Sequence, residues 1–446
     1  MMGIDRIIIL TLMVLSLVGS TRAQVYPPGK PTDQRILLLN GKAHIGNGDT
    51  INKSAIAIEN GKITMVKNAL LITIKEADYD TIIDIAGQHV YPGFIAPNST
   101  VGLQEIGAVR ASKDYRETGS LNPHVRSAIA FNTDSRVTAT VKTNGVLIGQ
   151  ICPRGGRISG TSSILHFDGW NWEDALYRED DAIHINWPAM FSFDWKTRGR
   201  VPNKKYNVLK KELEDFFMES SVYAEKKWEE SNRFYAEKSP TDLRFEAMKE
   251  VFTGGKSVCV HADFVKEIQD IIEFKKQFNI ERMILVGGYD SYLVAENLKN
   301  NDIAVVLRRV HSLPMYQQED VDLPYKLPKL LKDAGVKFCL NNAGDMEQMG
   351  LRNLPFYAGT AVAYGLSYED AVASITSSAA EILGIDDVVG TLEEGKDATL
   401  IVSRGDALDM MTNKLSLAMV QGRFMILRNH QDDLYQKYMN KYGLTE

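Results

Sequence analysis

Short apolar clusters broken by turn residues fill residues 36–85: "RILLLNGKAHIGNG", "SAIAIENGKITMV" and "DTIIDIAG". Clusters of this length read as strands. The pairs Asn40–Gly41 and Asn60–Gly61 favour tight hairpins, because both residue types accept positive φ. The same rhythm returns near the other end, in "VVGTLEEGKDATLIVSRGDAL" and "LAMVQGRFMIL". Two strand-rich ends bracketing a middle of different rhythm predict that the ends pair into one unit.

The second half of the middle alternates strand and helix. "KSVCVHA" reads as a strand, and the stretch after it carries apolar residues at 264, 265, 268, 271, 272 and 278, a helical stripe with Asp263 as its cap. "RMILVGG", "DIAVVL" and "VKFCLNN" are further strands, separated by "SYLVAENLKN" and "KLPKLLKDAG" as helices. "SYEDAVASITSSAAEILG" reads as one long helix, with Ser367 and Asp370 in capping-box spacing and Gly384 at its stop. Repeated strand–helix units imply an α/β fold with a parallel sheet and helices outside, either doubly wound or closed as a barrel. Residues 204–238 are the most charged segment. Leu209, Leu213, Phe216, Phe217, Tyr223 and Trp228 follow a helical period there, which predicts an amphipathic helix covering the sheet or docking a partner.

The first residues look like an address. Asp5 and Arg6 lead into the apolar run Ile7–Val18 and then "GSTRAQ", a pattern that predicts a signal peptide over 1–23 cleaved after Ala23. The run falls short of the roughly 20 residues a membrane span needs. Export to the periplasm or beyond is therefore expected, with no membrane span once the leader is removed. The formal net charge is -6, which disfavours a nucleic-acid partner, since phosphate binding needs a clustered positive surface. Cys152, Cys259 and Cys339 lie far apart in apolar runs and read as small buried hydrophobes. No two are close enough for a C-x-x-C zinc clamp.

"IENGKI", "DIAGQHVYPGFI", "RGGRISGTSSIL", "VCVHA", "YGLSYEDAVASITSSAAEILGI", "VGTLEEGKDATLIV" and "VQGRFMIL" together resemble the imidazolonepropionase-like branch of the amidohydrolase superfamily. The likeness runs from about Ile36 to Arg428. It implies a (β/α)8 TIM-like barrel with a flanking β-sandwich built from both termini. The implied boundaries are 24–90 and 386–446 for the two parts of the sandwich and 91–385 for the barrel. In that family one or two divalent metals at the barrel mouth activate a water against a cyclic amide or related C–N bond. The usual ligands are an H-x-H after strand 1, single histidines after strands 5 and 6, and an aspartate after strand 8.

Position by position, the resemblance breaks at this site. Asn98 and Thr100 stand where the paired histidines belong, and neither offers a comparable nitrogen donor. His261 matches at strand 5. Gly287 or Gly288 takes the strand 6 position, and Asn342 or Ala343 the strand 8 position. The expectation is a degenerate metal site with no cofactor. The alternative is one weakly held divalent metal such as Zn on His261 and carboxylates drawn from Glu105, Asp290 or Asp345.

Two functions follow. In the first the chain is a non-catalytic or partner-dependent homologue. Its mouth, lined by Asn98, Thr100, Asn341 and Asn342, binds a small-molecule or peptide-like ligand, or the chain assembles with copies of itself or with an intact homologue. In the second it is an active hydrolase of non-peptide C–N bonds, using His261 with Asp345 or Glu105 to activate water. A bland reading of His261 also stands, as a hydrogen-bonded strand-end residue. "PRGGRISGTSS" is either an anion nest or a tight connection. Trp170, Trp172, Trp187 and Trp195 cluster in 167–195 and serve either a ligand or partner contact or the packing of an insertion.

Overall fold

The computed structural model describes residues 26–196, 198–232, 239–344 and 346–444. The leader read at 1–23, Asp345 and the last part of segment 204–238 lie outside these.

Eight strands form the central sheet. They are β1 (Phe94–Ser99), β2 (Val146–Ile151), β3 (Ile158–His166), β4 (Leu176–Asn186), β5 (Ser257–Ala262), β6 (Met283–Gly287), β7 (Ile303–Leu307) and β8 (Phe338–Leu340). Each pairs with the next in sequence, so the strand order is the chain order. β8 comes back beside β1, and the sheet curls into a nearly closed ring. Val258, Val260, Leu285, Val305 and Leu307 are fully or almost fully buried, as expected for strands covered on both faces.

The ring departs from a pure strand–helix repeat in one place. β3 runs antiparallel to both β2 and β4, whereas the other ladders are parallel. The connections at 152–157 and 167–175 are too short for a crossover, which takes about a dozen residues or more. The remaining connections carry helices, among them Arg136–Lys142, Val265–Gln277 and Leu323–Ala334.

The charged segment folds as the helix Tyr206–Asn232, with Leu213, Phe216 and Phe217 buried. Trp228 is exposed, so the apolar period holds only for the first half of the helix. The helix at 265 is capped differently from expectation. The Glu267 carboxylate accepts from the backbone N–H groups of Asp263 and Phe264 at 3.3 and 3.4 Å. The Asp263 carboxylate instead accepts from Tyr289 N at 3.2 Å and Arg308 Nη1 at 2.9 Å. The long helix predicted at 367–384 is split into Tyr368–Ser374 and Ser377–Leu383. The break falls at Thr376, whose φ and ψ of -131° and -95° are not helical.

Apart from the two-stranded ribbon Phe191–Asp194 with Gly199–Pro202, two smaller sheets lie beside the ring. One has four strands, all from residues 36–84. The other has six and joins the chain's two ends, with Leu400–Ser403 antiparallel to His89–Pro92. The Asn60–Gly61 pair makes the expected hairpin, both residues at positive φ (50° and 78°) between Ser54–Glu59 and Lys62–Asn68. Asn40–Gly41 does not. It passes the chain from the four-stranded sheet to the six-stranded one, because the strands on its two sides pair elsewhere.

Candidate functional site

β1 ends at the mouth of the ring, and the two positions expected to carry histidines are already engaged. Asn98 sits at φ 50°, a left-handed conformation Asn tolerates, which turns its carbonyl out of the ladder. Arg154, from the loop between β2 and β3, grips it. Nη1 donates to Asn98 Oδ1 at 2.9 Å and Nη2 to Asn98 O at 2.8 Å. Gly155 and Gly156 follow at φ 88° and 67°, conformations that let this loop turn sharply behind the arginine. The guanidinium also pairs with Glu347, Nη2 lying 3.2 and 3.4 Å from the two carboxylate oxygens. The Thr100 hydroxyl donates to the same carboxylate. One cation thus ties β1, the β2–β3 loop and the segment after β8 together.

His261, on β5, has a partner that sequence spacing does not show. Its Nε2 lies 3.0 Å from Nδ1 of His184 on β4, and His184 Nε2 lies 3.0 Å from Ser162 Oγ on β3. Ser162 Oγ and Gln150 Nε2 each donate to the buried Asp181 carboxylate at 2.7 Å. Gln150 is held in turn by Asn98, whose N–H donates to its Oε1 at 3.1 Å. Burial, with the Arg154 charge in addition, pushes the His261 imidazole down to about 3. Burial and the neighbouring His261 push His184 well below the ordinary histidine range. Burial raises Asp181 above the usual carboxylate range, against the hydrogen bonds from Ser162 and Gln150.

At the strand 6 position no side chain fits. Gly287 has φ 105°, and a Cβ there would stand 2.8 Å from Ala262 O and 2.9 Å from Asp263 Oδ1. After β8, Asn341 and Asn342 are buried and committed to the protein. Asn341 Oδ1 accepts from Ala343 N at 2.9 Å. Asn342 accepts from the Tyr357 hydroxyl at 2.6 Å and donates to the Glu347 carbonyl. Glu105 lies on an exposed loop and accepts from Asn132 Nδ2 at 3.0 Å. Asp290 is buried away from this cluster, held by Val265 N at 3.1 Å and the Tyr316 hydroxyl at 3.0 Å.

An open cleft of about 920 Å³ lies over the cluster, lined by Thr100, Glu105, Tyr115, Arg154 and Glu347 among others. Thr100 and Glu105 share the cleft with Arg154, and Asn98 is held by that arginine. Asn98, His261, Asn341 and Asn342 are not among the cleft-lining residues.

Among the described residues, the donors at the mouth are already engaged with one another. Asn98 Oδ1 and the Thr100 hydroxyl are taken up by Arg154 and Glu347, and a fixed guanidinium charge stands among them. Two imidazoles alone fall short of the three protein ligands a catalytic zinc takes. Among the described residues no group of three or more His, Cys, Asp or Glu could hold a metal ion.

Arg154, Glu347 and His184 were missed in the sequence. Arg154 carried a signal, as an arginine in a glycine-rich loop directly after a barrel strand. Glu347 and His184 carried none, because their roles depend on contacts across the ring. The four clustered tryptophans divide. Trp187 is buried edge-on against Phe274 and donates to the Tyr206 hydroxyl at 3.1 Å, whereas Trp170 and Trp195 are exposed. None of the four lines the cleft. The three cysteines are free and buried. No helix among the described residues is long and apolar enough to cross a membrane.

Comparison with known proteins gives four findings. The Amidohydrolase family profile matches residues 218–425. The crystal structure of an amidohydrolase from Thermotoga maritima MSB8 superposes with a TM-score of 0.75 at 23% identity, covering 88% of this chain and all of that one (100%). Molinate hydrolase superposes with a TM-score of 0.53 at 15% identity over 90% and 95% of the two chains. A curated relative, amidohydrolase tasK of Hapsidospora irregularis, is 22% identical over 423 residues, covering 85% of this chain and 42% of that protein. The chain thus spans less than half the length of that relative.

Proposed function

We propose that this member of the amidohydrolase superfamily is a binding homologue, non-catalytic alone or dependent on a partner, whose barrel mouth takes a small-molecule or peptide-like ligand without a metal. The observation that carries the reading is Arg154. Its guanidinium holds Asn98 and Glu347 at the mouth, so a monovalent, permanently charged side chain stands among the groups that would otherwise face a metal. The competing reading, C–N bond hydrolysis with His261 and Glu105 or Asp345, asks His261 to act as general base. A histidine pushed down to about 3 is a poor base near neutral pH.

Dependence on a partner is part of the same proposal. An intact amidohydrolase chain is the partner this reading favours. Export through the leader at 1–23 would place this chain in the periplasm or beyond. The two terminal sheets are read as faces of a β-sandwich built from 24–90 and 386–446 beside a barrel at 91–385. The core that Ile36, Leu38, Ile56 and Ile58 share with Val90, Leu400 and Met419 supports that assignment.

Elemental analysis tests the metal-free mouth. The chain purified without chelator is expected to carry zinc, iron and manganese well below one equivalent. A full equivalent that survives dialysis overturns the proposal.

A further inference from the structure

The polar row inside the ring has a direction. In its carboxylate form, which the two donors favour against burial, Asp181 only accepts hydrogen bonds, and it takes one from Gln150 Nε2 and one from Ser162 Oγ, both at 2.7 Å. Ser162 has a single proton, which goes to Asp181 at 2.7 Å or to Ala182 O at 3.3 Å and in neither case to His184, so its oxygen must receive from His184 Nε2 at 3.0 Å. A neutral imidazole protonated at Nε2 is bare at Nδ1. His184 Nδ1 therefore accepts, and His261 Nε2, 3.0 Å away, must be the donor. That leaves Nδ1 of His261 as a lone pair. Among the described residues no protein group donates to it, and His261 as a residue is intermediate in exposure. Gln150 cannot reverse the row by flipping its amide, because Asn98 N–H holds its oxygen at 3.1 Å.

We propose that Asp181, Ser162 and His184 act as positioning residues that lock His261 in the tautomer with a bare Nδ1, so that the mouth selects ligands presenting an N–H or O–H donor. This rests on the mouth being the binding site, and it names the chemical class that site takes. Cyclic amides bearing a free N–H belong to the class, and their N-alkylated counterparts do not.

The test is two-bond proton–nitrogen correlation NMR on the full chain with 15N-labelled histidine. In the ligand-free protein both rings are expected as Nε2–H tautomers, and a protonated Nδ1 on His261 overturns the proposal. Asp181→Asn reverses the row. Its amide oxygen stays on the Gln150 donor and its N–H faces Ser162, which turns the serine proton toward His184 and moves both ring protons to Nδ1. Ser162→Ala cuts the row and yields a mixture of tautomers at His261. An unchanged single Nε2–H form in both variants overturns the proposal. Pyrrolidin-2-one is then compared with its N-methyl derivative at equal concentration. Only the first is expected to shift the His261 Nδ1 resonance, and an equal response, including none from either, overturns donor selection. Metal content plays no part in these readouts, so their failure is distinct from failure of the metal-free reading.

Discussion

Arg154 holds Asn98 twice, by the side-chain oxygen at 2.9 Å and the backbone carbonyl at 2.8 Å. These are charge-assisted contacts on a part-buried residue, and they join two strands of the ring to the segment carrying Glu347. Arg154→Met is expected to lower stability by about 2–3 kcal/mol, the scale of hydrogen bonds to a charged group. Arg154→Lys should recover less than half of that, because an ammonium cannot reproduce the planar fork. Urea midpoints with an unchanged m-value are the measurement.

Restoring histidines at the family positions should not by itself restore a metal. Asn98→His combined with Thr100→His leaves Arg154 among four imidazoles, and zinc uptake is expected to stay well below one equivalent. Adding Arg154→Ala removes the competing charge, and zinc binding should then rise toward one equivalent with a zinc-dependent gain in Tm. Elemental analysis of the two variants decides this.

Acid should weaken the fold in a window set by buried histidines. His166 is fully buried, and burial pushes its imidazole down to about 4 against an ordinary 6.5. The unfolded chain therefore takes up its proton first. The contribution is fully present above about pH 6.5, is lost as pH falls toward about 4, and is flat below that, a change of roughly 3 kcal/mol. His166→Gln, which can still accept from Asp168 N, should reduce the slope of stability against pH in this window by about one proton. Urea unfolding across the pH series checks it.

Phe217 anchors the long helix. It meets Phe274 at 4.8 Å, Phe278 at 5.5 Å and Phe252 at 6.2 Å between ring centroids, and it is fully buried. Phe217→Ala should cost about 3–5 kcal/mol, whereas Trp228→Ala on the exposed end should cost less than about 0.5 kcal/mol. Thermal unfolding of the two variants makes the comparison.

What the sequence showed was mostly what local patterns can encode. The strands at 257–262, 283–287 and 303–307 and the helix after 264 follow from apolar spacing, and the meeting of the two ends follows from their shared rhythm. The antiparallel β3 was not legible, because "RISGTSSIL" reads as a strand whichever way it runs. At the site, the residues Asn98, Thr100 and Gly287 could be read one by one. The contacts that fill the space could not, since Arg154 meets Glu347 across 193 positions and His184 meets His261 across 77.

The antiparallel strand also bears on the order of assembly. Residues 146–186 form a meander whose ladders join neighbours along the chain, so little loop entropy opposes its formation. The seam between Phe94–Ser99 and Phe338–Leu340 must wait until everything between them has been gathered in. Pulse-labelled hydrogen exchange during refolding is expected to find protection in the meander before it reaches residues 338–340. The departure from a regular barrel would then be the place where the barrel begins.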